Sequence, residues 1–320
     1  MNQPAPNVLI EMKEAGHKGL GMFAKVDIPR GTRVIAETPL LNTQLNDDGD
    51  PESKQILQGF ELLTPPQRDS FLGLSGYAST IFKMSVTDEF KQAWEDIPEL
   101  HRTVLSIFKA NAFGGMIFLT GSRINHSCIP NLNYAYNNVL EKGTFHAVRD
   151  ISAGEELTVM YIDGANRPRT RRQSELLQWG FLCVCPACEH TPEGDLKEKR
   201  RLELFLIDQV LTINELSGAQ ESARGALQLA QKMAGIQKSE GLVNRALTAS
   251  YRDATMYSLR LGNPQMALLW AEKGLEVELY CVGEDHPDYQ QMLDTVGVLQ
   301  GFNAIPEPLL TVLAGLIMYM

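Results

Sequence analysis

Apolar and polar positions divide this chain into stretches of different period. Up to about residue 41 the apolar residues come in short runs, Val8-Leu9-Ile10, Gly21-Met22-Phe23-Ala24 and Val34-Ile35-Ala36. Turns bearing glycine and proline, at 16–19 and 28–31, separate them, which predicts short strands. The polar stretch 42–52 (NTQLNDDGDPE) reads as a loop. From Ser53 to about Asn111 the spacing becomes helical. Ile56, Leu57, Phe60 and Leu63, then Phe90, Trp94 and Ile97, recur every three or four residues, with Pro65-Pro66 and Pro98 as punctuation. Beyond Gly114 alternation returns in Leu132, Tyr134 and Tyr136. Phe145, Ala147 and Val148 supply the facing strand, and Asn137-Asn138 with Lys142-Gly143 supply turn chemistry. Leu157 to Tyr161 predicts a further strand. Residues 166–180 (NRPRTRRQSELLQWG) carry basic residues into a helical turn that ends at Gly180, and RPRTRR at 167–172 reads as a surface segment.

After that point the chain reads as helical almost to its end. Leu202, Leu204, Phe205, Ile207, Val210 and Leu211 form one face, and further helices are predicted over 242–261 and 264–279. The 12-residue apolar run Leu309 to Met320 is too short for a membrane span and reads as a buried terminal helix. The polar stretch at 190–194 is the expected boundary between a β-rich part and an all-α part. Gly262, Ala267 and Ala271 have the spacing of small residues in a tetratricopeptide-type hairpin. A single such unit is visible, so a repeat and a plain helical bundle are both open.

Composition narrows the function classes. Lys+Arg is 29 and Asp+Glu 39, a net charge of −10, which weighs against broad binding to nucleic acid or anionic lipid. The N-terminal MNQPAPNVLIEMKEAG lacks a basic segment followed by a long apolar one, so an intracellular protein of cytoplasm or nucleus is expected. Five cysteines are too few for a disulfide scaffold. Three of them, Cys183, Cys185 and Cys188, form a C-x-C-x-x-C cluster of the kind that holds a metal. A structural zinc site takes four thiolate or imidazole ligands. Cys128 and His190 are the candidates for the fourth, and thiolate, the commoner ligand, favours Cys128.

Three other segments concentrate chemistry. Asn125-His126-Ser127-Cys128-Ile129-Pro130-Asn131 is dense in polar groups beside apolar Leu119 and Ile124, and buried amides and imidazoles need partners. Gly154-Glu155-Glu156-Leu157-Thr158 reads as a turn entering a strand, with both glutamates solvated. Tyr161, further along that strand, needs a partner for its hydroxyl. Gly16-His17-Lys18-Gly19-Leu20-Gly21 is a glycine-rich turn that precedes no helix, so it is neither a dinucleotide fingerprint nor a P-loop.

Taken in order, these segments resemble the SET-domain lysine methyltransferases. GHKGLGMFA is similar to the family's first cofactor loop, RINHSCIPN to its NHSCxPN motif, GEELTVMYID to its GEEL-x-x-x-Y motif, and GFLCVCPAC to its zinc-binding post-SET segment. Within the family the chain looks closest to the SET-and-MYND type of protein. It lacks the MYND finger, since residues 38–110 hold no cysteine, which makes it similar to fungal SET proteins.

The resemblance implies an α+β, β-clip fold of short sheets with a helical insert. The segments would be 1–41 and 111–165 for the two parts of the SET domain, 42–110 for the insert, 166–190 for the post-SET segment and 191–320 for the all-α domain. It implies S-adenosylmethionine as cofactor, held by Lys18, Gly19, Leu20, Asn111, Asn125, His126, Tyr161 and Phe181. Tyr161 would be the catalytic tyrosine and Trp179 would line the lysine channel. Cys128, Cys183, Cys185 and Cys188 would bind zinc. The implied acceptor is a protein lysine, histone or not, and the protein would act as a monomer. A small-molecule acceptor, or a non-catalytic scaffold that binds partners through its helical part, are the competing expectations.

Overall fold

The computed structural model describes residues 8–43, 52–217 and 223–301, with backbone alone at 214–217. The apolar run 309–320 and most of the 42–52 segment lie outside the described residues.

The chain opens with a hairpin. β1 (Ile10–Glu14) pairs antiparallel with β2 (Leu20–Ala24), Ile10 opposite Ala24 and Glu14 opposite Leu20. A tight turn at Gly16–Lys18 joins them, and Gly19 follows with φ 76°, a conformation open to glycine. β3 (Arg33–Glu37) comes next, then β4 (Leu41–Asn42), so strand structure reaches one residue, Asn42, into the stretch read from sequence as a loop.

Four helices make the insert: α1 (Ser53–Glu61), α2 (Pro65–Leu72), α3 (Thr80–Phe90) and α4 (Glu99–Asn111). Pro65 and Pro66 sit in the first turn of α2, where the missing N–H costs nothing. Apolar faces of these helices bury Ile56, Phe60, Phe71, Val104, Leu105 and Phe108, with Trp94 from the turn before α4, in a core of their own. β5 (Met116–Ile117) ties that core to β4.

A second core is built around a three-stranded sheet. Three antiparallel strands in the order β3-β8-β7, where β7 is Leu132–Asn137 and β8 is Lys142–Ala147, bury Val34, Ile35, Leu132, Phe145 and Ala147. The reversal between β7 and β8 falls one step earlier than the turn chemistry predicted. Asn137 Oδ1 accepts the N–H of Val139 (3.0 Å) and Leu140 (3.1 Å), and Glu141 takes φ 53°. Lys142 and Gly143 therefore open β8. Gly143 is required there by packing, since a Cβ would sit 2.7 Å from the Phe118 ring. A short parallel ladder pairs β6 (Asn125–His126) with β9 (Thr158–Val159), Asn125 opposite Thr158 and His126 opposite Val159. The strand predicted over 157–161 pairs only at those two residues. By Tyr161 the backbone N–H has turned to His126 Nδ1 (3.1 Å) and left the ladder.

Six helices follow: α5 (Arg169–Leu176), α6 (Pro192–Ser217), α7 (Ala223–Ser239), α8 (Arg245–Arg260), α9 (Pro264–Val282) and α10 (Pro287–Gly301). From α6 onward each packs on the next. α7 was not singled out from sequence, because its buried face is built of small residues, Ala223, Ala226, Ala230 and Ala234, which give a weak apolar signal. α6 begins inside the polar 190–194 stretch. α9 lies across β7 and β8, where Asn133 Nδ2 donates to the Cys281 carbonyl (2.9 Å) and Arg30 stacks 3.6 Å over the Tyr280 ring. Among the described residues no helix is long and apolar enough to cross a membrane.

Candidate active site

Side chains of the 125–131 loop reach the glycine-rich turn, the 155–161 segment and the 183–188 segment. Asn125 Nδ2 donates to the Leu20 carbonyl (3.1 Å) and to Glu156 Oε1 (2.8 Å). Glu156 Oε2 also accepts from Lys18 Nζ (2.7 Å). The glycine-rich turn, the asparagine and the glutamate are thereby stitched into one wall. The fit is close: a Cβ on Gly21 would lie 2.8 Å from Asn125 Nδ2 and 3.0 Å from Glu156 Oε1. Next to it Gly19 has nothing within 4 Å of where a Cβ would stand, so the wall opens onto free space. Asn131 holds the other end. Its amide donates to the Glu156 carbonyl (2.8 Å) and Glu155 Oε1 (3.1 Å), and its Oδ1 accepts from Thr158 N (2.8 Å).

These contacts correct the sequence reading of Glu155 and Glu156 as solvated. Glu156 is bound by Lys18 and Asn125, and Glu155 by Asn131 and Arg149. Although burial opposes it, the hydrogen bonds from Arg149 and Asn131 hold the Glu155 carboxyl below its usual range. The signal missed was a partner 138 residues away in sequence, Lys18.

His126 is buried, and burial pushes its imidazole down to about 4, so it is neutral at physiological pH. Its Nδ1 accepts the Tyr161 N–H and its Nε2 lies 3.3 Å from Cys128 Sγ. The Tyr161 hydroxyl donates to the Ile124 carbonyl (2.7 Å), which satisfies the partner its sequence position demanded. Burial raises the Tyr161 phenol well above its ordinary value, with the Glu156 charge adding to the effect, so it is a protonated donor at neutral pH. Rings gather around it. Trp179 lies 5.5 Å, His126 5.4 Å and Phe181 6.4 Å from it by centroid.

The insert closes this ring wall. Trp179 Nε1 donates to the Ala110 carbonyl at the end of α4 (3.1 Å). Gly180 turns with φ 79° against the Tyr77 ring, 2.4 Å from where a Cβ would be. Asn111 is the next residue of α4. Its amide donates to the carbonyls of Ser75 (2.6 Å) and Ile107 (2.7 Å), so both amide protons are committed within the insert. Glu37 fixes the approach to the loop by accepting the N–H groups of Thr120 and Gly121 (3.0 and 3.1 Å), a role with no sequence signature.

Behind the wall sit the cysteines. Cys128, Cys183, Cys185 and Cys188 bring their sulfurs within 4.8 Å of one another, and none forms a disulfide. Cys128 Sγ is 3.6 Å from Cys188 Sγ and 3.9 Å from Cys183 Sγ. Four sulfurs at Zn–S bonds of ~2.3 Å form a tetrahedron with edges of about 3.8 Å, so the donor set and its spacing fit zinc. Hydrogen bonds from the other three thiols hold Cys185 well below the usual thiol range. His190, the alternative fourth ligand, instead contacts Arg169 Nη1 (3.0 Å).

The 167–172 segment is not a surface segment throughout. Arg169 is 8% exposed and Arg172 0%. α5 turns both guanidiniums inward, where the carbonyls of Glu189 and Gly194 receive Arg169 (3.0 Å each) and the Ala187 carbonyl receives Arg172 (3.1 Å). Charge pattern alone pointed outward because the acceptors are carbonyls of a loop that follows later in the chain.

Comparison with known proteins bears on these motifs as a set. The family model described as SET domain matches residues 19–162. The histone-lysine N-methyltransferase set5 of Schizosaccharomyces pombe is 32% identical over 282 residues, covering 85% of this chain and 79% of that protein. The putative SET domain-containing protein L678 of Acanthamoeba polyphaga mimivirus is 26% identical over 236 residues, covering 65% of this chain and 89% of the viral one. Among solved structures, a crystal structure of the SET domain of LSMT bound to lysine and AdoHcy aligns with 93% of this chain and 88% of its own, at a TM-score of 0.34 and 14% identity. With the SET match running from Gly19 in the first motif through RINHSCIPN to Ile162 in the third, and the fission-yeast relative aligned along most of both chains, this chain belongs to the SET-domain family and carries no cysteine between residues 38 and 110 where a MYND finger would sit.

Proposed function

We propose that this protein is an S-adenosylmethionine-dependent methyltransferase acting on the ε-amine of a protein lysine. A histone is the first acceptor to test, in line with the activity named for the fission-yeast relative. One observation carries the reading: His126, Tyr161, Trp179 and Phe181, from three separated segments, assemble into one ring wall beside the open Gly19–Leu20 turn.

The cofactor supplies an electrophilic methyl group on a sulfonium. Lys18, Gly19 and Leu20 offer an open turn to hold it, backed by Asn125 and Glu156. The Asn111 backbone and the faces of His126 and Phe181 complete the cradle. Electron-rich ring faces favour a neighbouring cation. A lysine amine has pKa ~10.4, so reaching its neutral form at pH 7 costs about 4.6 kcal/mol. Trp179 and Tyr161 line the approach and strip water from the amine, which lowers that cost. Tyr161 keeps its proton, so its role is to orient groups at the reacting centre through its hydroxyl and not to act as the base. The four cysteines would hold zinc in a structural capacity, with every ligand supplied by the protein and no position left for chemistry.

Calorimetric titration with S-adenosylmethionine and its demethylated product, followed by methyl transfer to histones and lysine peptides, tests the reading. Tyr161→Phe is expected to bind cofactor within about threefold of the natural protein and to lose ~10²–10³ in turnover, the scale of removing one oriented donor. Undiminished turnover in that variant would remove Tyr161 from the mechanism. Absence of cofactor binding by the natural protein would remove the methyltransferase reading altogether.

A further inference from the structure

Two buried guanidiniums stand behind the cysteines, Arg172 with one long ion pair and Arg201 with none among the described residues. Arg172 on α5 and Arg201 on α6 are both 0% exposed. Arg201 Nη1 donates to the Ala165 carbonyl (2.6 Å) and Nη2 to the Cys128 carbonyl (2.9 Å). Among the described residues no carboxylate lies within 4.0 Å of it, and its Nε has no partner. Arg172 Nη2 lies 3.5 Å from Cys188 Sγ, and the nearest carboxylate, Glu198, stands 3.7 Å from Nη1 while accepting the Arg169 N–H (2.7 Å). Neighbouring arginines are provided for: Arg169 has Asp195 (3.2 Å) and Arg200 has Glu240.

A guanidinium stays charged in proteins, and burying one without an opposite charge is strongly unfavourable. Four thiolates around one Zn²⁺ carry a net charge of −2. Two arginines beside that cluster, one of them without a carboxylate partner, bring positive charge to it. They come from different helices, Arg172 from α5 and Arg201 from α6. Resting on the reading of the cysteines as a zinc site, we propose that Arg172 and Arg201 are the counter-charges of a zinc tetrathiolate, and that Arg201 makes metal binding and docking of α6 on the catalytic domain a single event.

The surrounding seam supports this coupling. Gln237 Nε2 at the end of α7 donates to Asn166 Oδ1 (3.0 Å), and Gly241 comes close enough to Ile129 that a Cβ would be 3.3 Å from its Cγ2. The loop bearing Cys128 is thus covered by the end of α7 and the turn after it, beside Arg201 of α6. The far end of the helical domain is held separately, by α9 on β7 and β8. Without metal the sulfurs become neutral thiols and the opposite charge left to Arg201 is Glu240, which already pairs with Arg200, so the near seam weakens while the far one does not. By reciprocity, a docked α6 strengthens zinc binding by the factor with which zinc strengthens docking.

The test uses the full chain as the natural protein, Arg201→Met, Arg201→Lys and Lys199→Met, the last removing an exposed charge from the same helix. Zinc affinity is read by competition with a chromogenic chelator, and amide exchange of 198–205 and of α9 is read with and without zinc. Arg201→Met is expected to weaken zinc binding about tenfold or more, the scale of losing a group that supports a ligand. Arg201→Lys should recover most of that loss and Lys199→Met should show none. In the natural protein, removing zinc should speed exchange at 198–205 about tenfold and leave α9 unchanged. Equal zinc affinity in Arg201→Met, or exchange at 198–205 indifferent to zinc, overturns the inference while leaving the zinc site intact. A natural protein that binds no zinc overturns both. Should Arg201→Met fail to fold, the exchange measurement on the natural chain decides alone.

Discussion

The helical insert and the post-SET segment face each other across the Trp179–Ala110 hydrogen bond, and they are held together by different physics. In the insert, aromatic and aliphatic side chains from four helices interlock, with Phe60 and Phe71 at 5.3 Å and Phe82 and Trp94 at 6.3 Å between centroids. Behind Trp179 the buried set is much poorer: Ile162, Leu176 and Ala187, with three cysteines, Cys128, Cys183 and Cys188, making up the rest. An eight-residue helix, α5, and a single 3-10 turn at Leu177–Trp179 are the regular structure there, and the 183–188 loop has no strand or helix. Segments this small do not bury enough apolar surface to hold themselves, and a metal is a common remedy. The lesson is that two walls of one cleft draw their order from separate sources, so they should fail separately.

The largest expected effect breaks the sulfur side. Cys188→Ser should abolish zinc retention and lower methyl transfer more than about 100-fold, because the ring wall of Trp179 and Phe181 hangs on that loop. Metal content and activity on the purified variant check it, and the insert should keep its exchange protection. Next comes the apolar side. Phe71 is fully buried, so Phe71→Ala should cost about 3–5 kcal/mol in urea denaturation with zinc content unchanged. A variant that also lost its metal would show that the two walls are not independent. The smallest effect is a helix cap: Ser79 Oγ accepts the Phe82 N–H (3.2 Å) at the start of α3, and Ser79→Ala should cost about 1 kcal/mol by the same measurement, again without touching zinc.

Much of this cleft was legible in the sequence wherever the chemistry is local. Three cysteines within six residues, a histidine inside a polar loop, a tyrosine needing a hydroxyl partner and glycines in a turn all announce themselves by spacing, and the structure brings each into the one site. The helical insert was equally plain, because its buried positions repeat every three or four residues over 53–111. Weak signals were lost. α7 hides behind an alanine face, and the strand at Thr158 ends early because His126 captures the next available N–H.

The sequence by itself determined which residue types stand at which short spacings, and with them the short apolar runs, the insert and three of the four clustered cysteines, since each depends on neighbours a few positions away. Tertiary structure alone decided what the charged residues do. Glu156 meets Lys18 across 138 residues, and Arg201 reaches the Cys128 carbonyl across 73. Lys, Arg and Glu usually face water, and only the fold shows where a long side chain finds enough fixed oxygen, nitrogen or sulfur to be worth burying.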